Sequence, residues 1–185
     1  MEKVKALLIN VNQARTTDGV TPLIMASQNG HVEVVRALLS HPEINVNQAS
    51  TKYGDSPLLI ASEDGHVEVV KELLADGRAN VNQATSTDGT TPLFMASQNG
   101  HVEVVKELLT DDRINVNQAS TTGGATPLFM ASQNGHVEVV KELLADDRTN
   151  VNQALTTDGA TALSVASQEG HVEVAKALLS CCANR

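Results

Sequence analysis

The chain has 185 residues, 41% of them hydrophobic but only 2% aromatic, with a net charge of −9. An acidic balance with no basic patch argues against nucleic acid and anionic membranes as partners, both of which call for a basic surface. No apolar run approaches the roughly 18 residues of a membrane span, and the two cysteines, Cys181 and Cys182, are adjacent and cannot frame a disulfide fold.

Such scarce aromatics predict many thin layers of Val, Leu and Ala in place of one bulky core. The opening MEKVKALLIN lacks the apolar region of a signal peptide, and no Asn-x-Ser/Thr sequon occurs. The expectation is an intracellular, cytoplasmic protein. In chain order, Met1–Leu8 repeats the pattern of Val32–Leu39, so residues 1–14 read as a partial unit holding a lone helix. Lys3 stands there in the place of Val34, which makes one face of that helix polar, as an end cap requires.

Residues 15–49 form the first full unit. Thr21 is suited to cap a helix N-terminus, and Pro22 suits the first helical position, where its missing N–H is no loss. A helix is predicted from Pro22 to Asn29, stopped by Gly30 in the left-handed conformation that ends helices. A second follows from Val32 to Leu39, with Val32, Val35, Leu38 and Leu39 on one apolar stripe and Glu33 and Arg36 outward. Asn-Val-Asn, Thr and Asp-Gly then form a hairpin-like finger leading to the next helix. Neither helix is long enough to persist alone.

The same unit returns at 50–84, 85–119 and 120–154, and in shortened form at 155–185. His31, His66, His101, His136 and His171 keep a 35-residue spacing throughout. Units three and four agree at 29 of 35 positions. Each helix pair leaves apolar surface on both broad sides, so burial requires a neighbouring unit, and the chain becomes a stack. In the last unit Ala162, Ser164 and Ala175 replace Pro, Phe and Val of unit four, which reduces apolar surface at that end.

The stretch TDGTTPLFMASQNGHVEVVKELL at 87–109, followed by Asn115-Val116-Asn117, resembles the ankyrin repeat. The likeness spans essentially the whole chain. It implies an all-α fold: an ankyrin-like solenoid of stacked antiparallel helix pairs with hairpin-like fingers, forming one domain over 1–185. It also implies a non-catalytic module that binds a partner protein through finger tips and the first helix of each unit. Three features depart from the pattern. The unit is 35 residues long against the family's roughly 33. The His that usually follows Thr-Pro-Leu is replaced by Ile24, Leu59, Phe94, Phe129 and Ser164, so its hydrogen bonds must come from elsewhere and greater apolar burial must compensate. The Gly that commonly ends the second helix survives only as Gly77.

Histidines in register could suggest a metal ladder, but units spaced like packed helices, roughly 8 to 10 Å apart, hold the rings too far apart to share one zinc. They are expected to be structural, as is the recurrent Ser27, His31 and Glu33 grouping, and no cofactor or metal is expected. Asn12, Asn47, Asn82, Asn117 and Asn152 are expected to tie fingers together. Glu68/Lys71, Glu103/Lys106 and Glu138/Lys141 read as solvated i,i+3 pairs.

The candidate protein-binding residues lie at finger tips and at the ends of the first helices: Lys52, Tyr53, Asp55, Glu63 and Asp64 in unit two, with Asp88, Gln98, Asn99, Gln133 and Asn134 beyond it. All five unit-two positions differ from unit three, against 8 of the other 30. Drift at exposed positions accounts for the same pattern. The sole tyrosine at a finger tip tilts the reading toward binding, because Tyr is enriched at interfaces. The acidic face points to a partner with a basic surface, met by a monomer. The alternative is a passive spacer, or a repeat fragment of a larger protein whose activity lies elsewhere.

Overall fold

The computed structural model describes residues 10–183, with side chains through Cys181. The lone helix expected at residues 1–8 lies outside the described residues. Ten helices follow as five pairs: α1 (Pro22–Gln28) and α2 (Val32–Leu39), α3 (Pro57–Glu63) and α4 (Val67–Ala75), α5 (Pro92–Asn99) and α6 (Val102–Leu109), α7 (Pro127–Gln133) and α8 (Val137–Ala145), α9 (Ala162–Gln168) and α10 (Val172–Ala183). No strand occurs among the described residues.

The helix starts follow the sequence reading. The Thr21, Ser56, Thr91 and Thr126 side chains each accept the N–H three residues on, with Pro next in the chain. The last unit lacks that Pro, and Ser164 instead completes a reciprocal cap with Thr161. Helix α1 stops at Gln28, one residue before the expected Asn29, whose N–H closes on the carbonyls of Met25 and Ser27.

The odd-numbered helices pack in one row and the even-numbered in another, each against its counterpart in the adjoining unit. One apolar core runs the length of the stack through Leu23, Leu58, Leu93 and Leu128 of the first row and Val35, Val70, Val105 and Val140 of the second. The residues standing where the family has His, namely Ile24, Leu59, Phe94 and Phe129, are all buried, whereas Ser164 of the last unit is exposed. The stripe of the second helices proves wider than the sequence suggested. Val69, Val104 and Val139 are fully buried at 0%, whereas their unit-one equivalent Val34 is 49% exposed. At the far end Val172 and Leu179 stay 61% and 57% exposed, so the polar trimming of the last unit is partial.

The fingers are six-residue turns closed by backbone bonds such as Ser50 N–H to Asp55 C=O at 3.0 Å and Thr85 N–H to Thr90 C=O at 2.9 Å. Finger joins finger through Thr51 N–H to Asp18 C=O at 2.8 Å, Thr121 to Asp88 at 2.7 Å and Thr156 to Gly123 at 3.0 Å. These bonds hold the tips in a row beside the ends of the odd-numbered helices.

Candidate functional site

The repeated polar residues work between units. The Asn47 side chain donates to Arg78 C=O at 2.9 Å and accepts from Asn80 N–H at 2.6 Å, and Asn12, Asn82 and Asn117 do the same one unit apart. A buried or crowded backbone group left unpaired costs far more than a paired one gains, so this ladder fixes the register of the loops. Nε2 of His66, His101, His136 and His171 donates to the carbonyls of Gln28, Glu63, Gln98 and Gln133, at 2.8 to 3.0 Å. The histidines are thus inter-unit ties. Among the described residues no group of three or more His, Cys, Asp or Glu is placed to hold a metal ion.

An Asp-x-Arg motif supplies a third tie that the sequence reading passed over. Asp76/Arg78, Asp111/Arg113 and Asp146/Arg148 pair side by side. Each Arg then reaches the carbonyls that end the preceding unit's even-numbered helix or the loop after it: Arg78 to Leu39 at 2.8 Å, Arg113 to Gly77 at 3.2 Å, Arg148 to Leu109 at 3.1 Å. A cation is favoured there, because helix carbonyls leave partial negative charge at the C-terminus. The strict 35-residue spacing of Asp and Arg was the available signal. The outward i,i+3 pairs form as expected, and Arg36 also bridges to Glu72 of the next unit at 2.8 Å.

The candidate residues divide into two groups. Lys52, Tyr53 and Asp55 meet at the second finger and wall a cleft of about 390 Å³ whose opposite side is Arg15 and Asp18 of the first finger, with Ile24 and Ile60 at its floor. Tyr53 is 50% exposed and the Lys52 ammonium lies over its ring, 4.6 Å from the centroid. Tyr53 occupies the place where Asp18 and Asp88 brace their own turns, Asp18 by accepting from Val20 N–H and Asp88 by accepting from the Thr85 and Thr90 hydroxyls. In unit two the ring is exposed at that position, and Ser50 and Asp55 bond across the turn instead.

Asp55 and Glu63 sit half-buried at the foot of this finger and on the last turn of α3. Burial raises the Asp55 carboxyl above its ordinary range; a Ser50 hydrogen bond opposes this and the Asp88 charge adds to it. Burial raises Glu63 too, reinforced by Asp64 and then Asp55. In contrast, the hydroxyl of Thr85 chiefly holds Asp88 below its ordinary range. Asp64 is exposed at the end of α3.

Asn99 and Asn134 stand apart: their side chains donate to Glu63 C=O at 2.9 Å and Gln98 C=O at 2.8 Å, beside the histidine bonds. Gln98 and Gln133 lend their backbone carbonyls to the following unit. Asp64, having no donor, cannot reach Gln28 in this way.

Five helix pairs tied at every junction, with a row of finger tips beside one row of helices, define a repeat scaffold that offers an extended surface. The family model for ankyrin repeats matches in three copies, over residues 1–85, 47–120 and 114–185, and the chain belongs to that family. Ankyrin repeats are in general protein–protein interaction modules and typically not catalytic. No curated protein matches the chain.

Proposed function

We propose that the protein binds a partner protein carrying a basic surface, through the finger tips and odd-numbered helices centred on unit two, and that it does so as a monomer. The observation that carries this reading is the Tyr53 finger. An exposed aromatic stands beside a cleft at the finger position where units one, three and five have Asp and unit four has Gly. Lys52, Tyr53, Asp55, Glu63 and Asp64 form the proposed centre, with Asp88, Gln98, Asn99, Gln133 and Asn134 extending it along the row. The spacer reading draws support from Asn99 and Asn134, whose side chains already serve inter-unit bonds.

The test exchanges five residues for those of unit three: Lys52→Thr, Tyr53→Asp, Asp55→Thr, Glu63→Gln and Asp64→Asn. The melting temperature should hold or rise, because the exchange restores a turn brace and a donor toward Gln28. A partner captured by the original chain should lose about 2 kcal/mol or more, the range of interface hot spots, and its binding should weaken with salt. A partner held equally by both chains would return the variation in unit two to drift.

A further inference from the structure

The charges around the cleft between the first two fingers sort themselves incompletely. Arg15 is engaged by both oxygens of Asp18, and Lys52 lies over Tyr53. The Asp55 carboxylate has a Ser50 hydroxyl at 3.4 Å, and among the described residues neither it nor Glu63 stands in an ion pair. Ile60, in the cleft floor, and Glu63 are three residues apart on α3 and therefore share one face. The apolar floor thus leads to Asp55 in the cleft wall, with Glu63 one turn further along α3 from Ile60, and no cation among the described residues pairs with either acid. Both are held above the ordinary carboxylate range, and each feels another acid.

We infer that this cleft receives an arginine side chain of the partner protein, its stem on Ile24 and Ile60 and its guanidinium on Asp55 and Glu63. This rests on the finger and helix surface being the binding face. Arginine fits better than lysine because its planar fork offers several fixed donors to two carboxylates and is weakly hydrated, whereas an ammonium is a compact, strongly hydrated charge. Its aliphatic stem covers apolar surface while the head stays polar. An acidic side chain would find Arg15 already paired and Asp55 repelling it.

The probe is N-acetyl-arginine methylamide, titrated into the full chain while backbone amides are followed by nuclear magnetic resonance. Its citrulline counterpart, of the same shape without charge, and its lysine counterpart run in parallel. Saturable shifts at Ser50, Asp55, Ile60 and Glu63 are expected with arginine, and binding about tenfold weaker with the other two. Glu63→Gln installs the residue found at Gln28, Gln98 and Gln133, so the fold tolerates it; with Asp55→Asn it should abolish the shifts. No shift at these amides, an equal response to citrulline or lysine, or an undiminished response in the double variant overturns the inference. Should the probe fail while a captured partner still depends on the five-residue exchange, the arginine is wrong and the binding face stands. Indifference of that partner to the exchange removes the face itself.

Discussion

A single backbone position shows how tightly adjoining units meet. Gly65 has φ +77°, and a Cβ placed there would come within 2.8 Å of Nδ1 of His101 in the next unit. Gly170 has φ +76°, and a Cβ placed there would meet nothing within 4 Å among the described residues. Gly170→Ala should therefore cost about 1 kcal/mol, the strain of a left-handed alanine. Gly65→Ala should cost about 2 kcal/mol or more, because overpacking adds to that strain. Thermal melts of the two variants check this, and equal losses would mean that the histidine yields freely. Both the glycine and the histidine were legible in the sequence as a helix stop and a recurring residue. Their contact was not, because it joins residues 36 apart in the chain, across a junction whose geometry no local pattern carries.

At the scale of the elements, the loops after the even-numbered helices carry more of the junction than their composition suggested. Arg148→Ala removes the paired Asp146 and the bond to Leu109 together, and should cost about 1 kcal/mol after allowance for solvent. Arg148→Lys should recover only part, since an ammonium cannot reproduce the fork. The pH dependence has a definite sign. The Arg148 hydrogen bond chiefly lowers the Asp146 pKa below its ordinary 3.8, against a smaller effect of burial. Its contribution is therefore full above that value and disappears as pH falls through the lower folded value. Asp55 and Glu63 run the other way: raised by burial, they favour the fold fully below their ordinary values and lose that contribution as pH rises through the folded ones. Asp55→Asn and Glu63→Gln should consequently raise the melting temperature at neutral pH and lose that advantage in acid. A melting series from pH 7 down to about pH 3 reads both effects, and an advantage that grows in acid would contradict them.

Across the whole molecule, helices pack against their own unit and the adjoining ones, so stability is a sum over units and junctions. The junctions are unequal. Between units three and four the ties include Asn117 to Arg148, His136 and Asn134 to Gln98, Arg148 to Leu109, and Thr121 to Asp88. Between units four and five the His171 and Thr156 bonds recur, but Glu169 stands in the place of Asn134 and Ala183 in that of Arg148. Native-state hydrogen exchange should accordingly find α9 and α10 opening at the lowest free energy and α5 and α6 at the highest. Uniform protection would show that the ties do not set local stability. The 35-residue register made the helix pairs, their starts and their stacking legible, because capping residues and apolar periodicity are local. What the register did not show is that Asn99 and Asn134, read as binding candidates, donate to carbonyls of the preceding unit 36 residues away, a contact that no local pattern carries.

The same serial arrangement has a mechanical meaning. A load applied along the stack passes through every junction in turn, so the strength of the whole is that of the least-tied one. Unit five should yield first under tension, and the break should then travel inward a unit at a time. Each 35-residue unit releases roughly 115–125 Å of extended chain as it goes. Pulled slowly, the protein would behave as an extensible rod that lengthens in countable steps, keeping the finger surface of the units still stacked.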